Sequence, residues 1–233
     1  MTTQIQSKVG PPHFEGTCKH IRKDNNSIHI SLADIIDNTY GKASVLNTPT
    51  KCDVNVTYSD DDQLNKITII DDLHFGFLGL ENSSVDNPLN MTHMREGHLN
   101  DAETSENGKG LKNSIIFVGD DTDIYTRAIE DDTETYYHVH FDIPEMCGRQ
   151  NASESYEPTL LEKITDSKYE KCHKYEYGTT ITISNIRKQK FVIIDKAKFE
   201  NELHRPEGKM RQNAVMTCIS YNYVSSSLLD VPS

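Results

Sequence analysis

The chain has 233 residues, a length that suits one domain or two small ones. Its 36 acidic residues outnumber its 24 Lys and Arg and give a formal net charge of −12, so the chain by itself is a poor candidate for binding nucleic acid, which needs clustered positive charge. No run reaches the roughly 18 apolar residues of a bilayer span, and the N-terminus lacks the charged-then-apolar order of a secretory signal. We therefore expect an intracellular protein that contacts no membrane and meets DNA only indirectly or through other domains.

The first predicted elements are an irregular arm and an amphipathic helix. Residues 1–26 include Gly10, the Pro11-Pro12 pair and few apolar side chains, which favours an irregular arm. From residue 31 to 46, apolar side chains recur at i, i+3, i+4 and i+7 behind Ser31 as an N-cap, which predicts a helix. Residues 27–233 are expected to form one domain.

Strands dominate the rest of the chain. Alternating side chains predict strands at residues 52–58 and 64–71, and the polar tract over about residues 81–110 has the length of a functional lid. The other predicted elements are strands at 123–130, 134–143 and 178–186, a polar insertion at 144–157, a short helix at 159–166 and a helical segment at about 196–225. This order predicts an α+β protein, a two-layer sandwich in which helices cover one face of a mixed, mostly antiparallel sheet.

Three segments carry side chains suited to chemistry. Asp34 and Asn38 lie one turn apart on the predicted helix, where a carboxylate can polarise a water and an amide oxygen can bind Mg²⁺. Asp71 ends an apolar strand and can accept a hydrogen bond from an exocyclic amine such as that of adenine. The segment Gly108-Lys109-Gly110-Leu111-Lys112 can wrap closely around phosphates, but it matches neither the dinucleotide fingerprint nor the Walker A pattern.

In isolation each segment has an ordinary interpretation, namely a solvated helix edge, a strand-ending turn and a flexible loop tip. Their order along the chain, LADIIDNT, IIDD, ENGKGLKNSI and GTTITISNI, resembles the four nucleotide-binding boxes of the GHKL superfamily, named for gyrase, the heat-shock chaperone, histidine kinases and MutL. Within it, the third and fourth boxes are most similar to those of the microrchidia (MORC) ATPases. The resemblance covers residues 27–186.

The resemblance implies a Bergerat-type sandwich that binds ATP and Mg²⁺ under a lid, hydrolyses ATP slowly and forms a homodimer when ATP is bound. It puts Asp34 at the position of the general base, Asn38 at that of the Mg²⁺ ligand, Asp71 at the adenine contact and Thr179 at a supporting contact. The phosphates would be enclosed by Gly108, Lys109, Gly110, Leu111 and Lys112. A nuclear location would be consistent with MORC relatives, and a chain that stops soon after these boxes would be a fragment or a minimal stand-alone module.

Two departures from the family pattern matter. The superfamily normally has glutamate on the first helix, so Asp34 has a shorter reach to a water. We expect this to slow hydrolysis while binding survives, because geometry decides first for a general base. The acidic strand end normally continues as Asp-x-Gly-x-Gly, whereas here both glycines are replaced; Gly76, one position beyond the second, would stand in for one of them as a nucleotide-binding residue. These departures leave open a degenerate, non-hydrolysing nucleotide-binding module with a regulatory or interaction role. A kinase-like variant is weaker, since no phosphoacceptor-histidine helix is recognisable upstream.

The remaining candidates have simpler explanations. His138 and His140 alternate on one strand and can face the same side, but no third ligand has convincing spacing for zinc. Cys172 and His173 are adjacent and generally point apart, so they are not expected to form a nucleophile pair. The five cysteines are odd in number and contain no CxxC pair, which predicts reduced thiols.

Overall fold

The fold was analysed in a computed structural model, which describes residues 13–23, 28–46, 49–59, 61, 63–74, 76–77, 79–81, 89–90, 110–130, 133–152, 154–187 and 217–225. The helices are α1 (Phe14–Ile21), α2 (Ile28–Leu46), α3 (Gly110–Val118), α4 (Ile143–Gly148) and α5 (Asp166–Cys172). The strands are β1 (Thr50–Tyr58), β2 (Leu64–Asp71), β3 (Gly119–Glu130), β4 (Thr133–Asp142), β5 (Leu160–Ile164), β6 (Thr179–Ile186) and β7 (Thr217–Ser225).

The strands form one sheet in the order β5-β4-β3-β6-β2-β1-β7. Every neighbouring pair is antiparallel except β1 and β7, which run parallel. The predicted α+β class with a mixed, mostly antiparallel sheet is therefore confirmed. Among the helices of the described part, none is both long and apolar enough to cross a membrane.

The core lies between one face of this sheet and the first helices. Alternate side chains of the central strands are buried, such as Ile124 and Val139, while Ile35 of α2 and Ile115 of α3 are buried above them. Removing each such side chain from water contributes about 1.5–3 kcal/mol. This packing holds α2 and α3 against the sheet and so fixes the positions of the polar side chains that they carry.

The opposite face of the sheet is partly covered by α5. The Tyr169 ring of α5 lies 5.1 Å from that of Tyr136 on β4, and His173, just after α5, is hydrogen-bonded through Nδ1 to Thr180 Oγ1 of β6 at 2.9 Å. Both strand residues alternate with core residues. The prediction of helices on one face only is thus incomplete, because α5 packs on the other face.

His173, the neighbour of Cys172, has the contacts of a structural histidine. Nε2 of His173 lies 2.6 Å from the carbonyl oxygen of Tyr177, so both ring nitrogens are engaged, and burial lowers the pKa of the imidazole. Nε2 donates to the carbonyl and Nδ1 accepts from the threonine hydroxyl, which is a neutral, structural histidine.

The irregular arm predicted over residues 1–26 is wrong for its described part. Residues Phe14–Ile21 form α1, whose Phe14 and Cys18 are buried one turn apart, and Lys19 pairs with Glu15 at 2.6 Å. Apolar spacing of i, i+4 and i+7, completed by Ile21, outweighs the Pro11-Pro12 signal just before it. Residues 1–12 and 24–27 lie outside the described part.

Two further predictions fail between β4 and β6. The polar insertion at 144–157 contains α4, which begins where Asp142 Oδ1 accepts a hydrogen bond from the Glu145 amide at 2.8 Å. The helix predicted at 159–166 is instead β5 followed by α5, since Thr165 caps α5 by accepting from the Lys168 amide. Pairing with the edge of β4 converts the apolar run before Thr165 into a strand.

The predicted helical segment at about 196–225 is also wrong in its described part. Residues Thr217–Ser225 form β7, which pairs in parallel with all of β1. Its Ile219, Tyr221 and Tyr223 alternate with polar residues, which is typical of a strand. Residues 196–216 are outside the described part, as is most of the lid predicted at 81–110.

The other elements agree with prediction. The helix expected at 31–46 begins three residues earlier, at Ile28, and the strand expected at 64–71 has those bounds. The strands expected at 52–58, 123–130, 134–143 and 178–186 correspond to β1, β3, β4 and β6.

Candidate functional site

The candidate site is centred on Asp71, the last residue of β2. Its Oδ1 accepts hydrogen bonds from the backbone amides of Leu73 at 3.1 Å and Thr179 at 3.2 Å. Its Oδ2 accepts from the Thr39 hydroxyl of α2 at 3.3 Å. One carboxylate therefore joins the end of β2, the start of β6 and the middle of α2.

The close approach of β6 to Asp71 depends on a glycine. Gly178 has φ +118°, a conformation that residues with a side chain rarely adopt. A Cβ at this position would lie 2.0 Å from the backbone carbonyl oxygen of Asp71. The sequence Gly178-Thr179 thus allows the Thr179 amide to reach the carboxylate.

Burial makes the Asp71 carboxylate unusual. The residue is 7% exposed, and desolvation raises the pKa of its carboxyl to about 7. The hydrogen bonds from Leu73, Thr179 and Thr39 act in the opposite direction, because they favour the ionised form. The Asp71 carboxyl therefore titrates near neutral pH, and a further hydrogen-bond donor to its oxygens would favour the ionised form.

A second group of hydroxyls continues the polar network. The hydroxyl oxygens of Thr126 on β3 and Thr179 on β6 lie 3.0 Å apart, and Thr126 Oγ1 accepts from the Phe77 amide at 3.1 Å. Gly76 donates its amide to the Arg127 carbonyl at 3.0 Å, and a Cβ there would lie 2.1 Å from Thr126 Oγ1. Gly76 thus lets the segment after β2 run directly against β3.

Asp34 of α2 faces the start of α3. The Ser114 hydroxyl donates to Asp34 Oδ2 over a long distance of 3.5 Å, and a Cβ on Gly110 would lie 3.9 Å from Asp34 Cβ. Asp34 retains substantial solvent exposure, yet desolvation raises the pKa of its carboxyl and the Ser114 hydroxyl partly offsets this. A raised pKa in an accessible carboxylate suits a general base.

Asn38 lies one turn after Asp34 on α2. Its side-chain Nδ2 donates to the backbone carbonyls of Asp34 at 3.0 Å and Ile35 at 3.4 Å. The nitrogen therefore points back along the helix, and Oδ1 points away from these two carbonyl groups. Asn38 and Asp34 share one edge of α2, as their spacing predicts.

The first turn of α3 contains Gly110, Leu111 and Lys112. Leu111 is buried in the core, and Lys112 is 4% exposed with its Nζ donating to the backbone carbonyl of Asn90 at 2.8 Å. The lysine thereby ties α3 to a described piece of the predicted lid. Gly108 and Lys109 lie outside the described residues.

Sequence reasoning selected Asp34, Asn38, Asp71 and Thr179 but missed their partners. Thr39 falls at the i+7 position of the apolar stripe of α2, counted from Leu32, where a hydroxyl among buried side chains is the signal of a buried acceptor nearby. Ser114 and Thr126 come from elements that meet α2 and β6 only through tertiary packing, so no local pattern identifies them.

No protein-family model matches the chain, and no curated protein matches it.

Proposed function

We propose that this chain binds ATP with Mg²⁺ in a GHKL-type domain, hydrolyses it slowly and uses the bound state as a switch for dimerisation. The observation that supports this most strongly is the convergence at Asp71 of three of the four sequence boxes, through its contacts with Thr39 and Thr179. These residues are separated by 32 and 108 positions along the chain. The sequence order of the boxes is the independent support.

The residues around Asp71 suit an adenine base. An ionised carboxylate offers about four lone-pair directions, and the three observed donors leave one for an exocyclic amine. Apolar side chains of the same strand, Ile67 and Ile69, are buried on the same face of the sheet. Asp71 would accept the amine, and the Thr179 and Thr126 hydroxyls would supply further polar contacts.

The phosphates would lie toward the start of α3. The first amides of a helix lack intrahelical partners and favour anions, and α3 begins at Gly110 beside Asp34. Asp34 precedes Thr39 by five residues, about 7.5 Å along the helix axis at 1.5 Å per residue. This offset would place the base near Thr39 and the phosphates near Asp34.

Asp34 and Asn38 would carry the chemistry. Asn38 would offer its Oδ1 to Mg²⁺, which takes oxygen ligands and keeps several waters. Asp34 would orient a water and accept its proton, helped by the raised pKa of its carboxyl. Mg²⁺, when bound, would neutralise part of the phosphate charge.

Asp71→Asn tests the site directly. The substituted amide keeps an oxygen for the Leu73 and Thr179 amides and can donate to the Thr39 hydroxyl, but it opposes an exocyclic amine. We expect ATP affinity to fall roughly 10- to 100-fold, the range for losing a hydrogen bond to a charged group. Asp72→Asn is the matched control: Asp72 is the next residue, and its Oδ1 accepts a hydrogen bond from the Lys51 backbone amide at 2.7 Å. Equal affinities for both variants would overturn the proposal.

The alternative function is a nucleotide-binding module that does not hydrolyse. The short side chain of Asp34 favours it, because aspartate reaches one methylene less far than the family's glutamate. Asp34→Glu separates the two: a gain in turnover of about tenfold or more indicates a general base held too far away. Turnover at background in both forms, with binding intact, indicates a pure binder.

A further inference from the structure

A second polar cluster lies on the sheet face opposite the core, beside α5. Asp121 and Asp123 of β3 alternate with the buried Thr122 and Ile124, so they point away from the core. On β4, His138 and His140 alternate with buried residues in the same way, and Asp123 pairs directly with His140 in the register. The cluster is therefore separated from Asp71 and Thr126, whose side chains face the helices.

Three of these side chains converge on one point. Ligand atoms of Asp121, Asp123 and His140 all lie within 4.8 Å of one another, and Nδ1 of His140 is 3.1 Å from Asp123 Oδ1. The side chains of His140 and Asp123 are 24% and 32% exposed. Two carboxylates and one imidazole are thus held close together on a half-buried part of the sheet face.

Neighbouring residues orient the two carboxylates. The His138 ring stacks on Tyr125 with centroids 4.4 Å apart and planes at 2°, and its Nε2 is hydrogen-bonded to Asp123 Oδ1 at 2.7 Å. Ser184 of β6 donates its hydroxyl to Asp121 Oδ1 at 3.3 Å. Such outer contacts are what fixes the direction of carboxylate ligands in metal sites.

The charge of the cluster points to a cation. In the described part of the chain, neither Asp121 nor Asp123 pairs with a lysine or arginine, and the nearby Lys168 of α5 pairs instead with Glu162 at 2.6 Å. By contrast, Asp120, the residue before Asp121, forms an ion pair with Arg22 at 2.5 Å. Adjacent carboxylates on one strand face repel each other unless a positive charge lies between them.

We propose that Asp121, Asp123 and His140 bind a divalent transition-metal ion of the zinc class. Three protein ligands with two oxygens and one nitrogen leave coordination positions for water. Imidazole together with carboxylates selects such an ion over Ca²⁺ and Mg²⁺, which prefer oxygen ligands alone. The site is independent of the proposed nucleotide site and lies on the other face of the sheet.

The test is a titration of the full, nucleotide-free chain with Zn²⁺ and with Co²⁺ as a spectroscopic substitute. We expect the affinity of one site to weaken at least about tenfold in Asp123→Asn and in His140→Gln, and to weaken in Ser184→Ala through loss of orientation. His20→Gln, an exposed histidine on α1, is the control and leaves the affinity unchanged. The cobalt spectrum of this site lacks a thiolate charge-transfer band.

Nuclear magnetic resonance of the unaltered chain provides a readout that does not depend on the folding of any variant. The imidazole signals of His140 should shift on addition of Zn²⁺. Unchanged His140 signals at saturating Zn²⁺, affinity that survives Asp123→Asn, or a thiolate band for the tightest site would each overturn the proposal.

Discussion

At the scale of single residues, Asp71 is the centre of the candidate site. It holds three parts of the chain together while buried, and a buried charge costs free energy unless it is well hydrogen-bonded. A residue that is expensive to bury and whose proton exchanges near neutral pH is typical of a functional site. The hydrogen bonds from Thr39 and Thr179 offset only part of the cost of desolvating the Asp71 carboxylate.

This burial predicts a specific pH dependence of stability. The pKa of Asp71 is about 7 in the folded chain, against about 3.9 for an unfolded aspartate, so between these values the folded state holds a proton that the unfolded state has lost. The contribution of Asp71 to the free energy of unfolding therefore falls as pH rises through this window and is level above it.

Asp71→Asn removes this contribution. As pH rises from about 4 to 7, the free energy of unfolding should therefore fall less in the variant than in the parent. Urea unfolding at a series of pH values measures the difference. Asp72→Asn should retain the slope of the parent. Identical slopes for the parent and Asp71→Asn would show that the carboxyl titrates normally.

The sequence identified single residues only where a family pattern existed. Asp34, Asn38, Asp71 and Thr179 lie in such boxes, whereas the ligands of the proposed metal site lie on two strands, Asp121 and Asp123 on β3 and His140 on β4. The β3–β4 register brings Asp121 and Asp123 beside His140, and the sequence does not specify this register.

At the scale of elements, the junction between β2 and β6 depends on Gly178. An alanine there would place Cβ against the Asp71 carbonyl and would be strained at φ +118°. We expect Gly178→Ala to lower the free energy of unfolding by about 3 kcal/mol or more, since a clash and a strained backbone each cost about 1–3 kcal/mol.

The matched control is Gly148→Ala at the end of α4, where an added Cβ meets nothing within 4 Å. That variant should change stability by less than about 1 kcal/mol. Chemical denaturation of the two variants beside the parent measures both effects. A Gly178→Ala variant as stable as Gly148→Ala would contradict the close packing of β6 against Asp71.

Elements were predictable where their signal was local. The helix α2 and the strand β2 have clear periodicities; the predicted bounds of β2 are confirmed, and those of α2 differ only at its start. The strand β5 is a short apolar run that becomes a strand only by pairing with β4, and β7 pairs with β1 from far along the chain. Such pairings are set by tertiary contacts and not by the residues themselves.

At the scale of the whole molecule, the two faces of one sheet carry different polar sites. The face toward α2 and α3 holds the Asp71 network, and the face beside α5 holds the cluster of Asp121, Asp123 and His140. The strand β3 contributes to both, because alternate residues such as Thr126 and Asp123 point to opposite sides. The alternation along β3 thus places separate polar clusters on the two faces of the sheet.

The α+β class and the mixed sheet followed from the order of predicted elements, but the second covered face did not. A seven-residue helix such as α5 has too few positions to show a periodicity, and its place on the sheet depends on Tyr169 and His173 finding partners there. Nucleotide binding and dimerisation remain predictions that rest on the resemblance and on the contacts of Asp71.

The proposed ATP binding is tested most directly by calorimetric titration with a non-hydrolysable ATP analogue and Mg²⁺, with light scattering on the same samples. We expect micromolar binding at one analogue per chain and a shift from monomer to dimer. Binding without a shift would retain the nucleotide site and contradict the dimerisation switch. No heat and no shift would contradict the nucleotide-binding function itself.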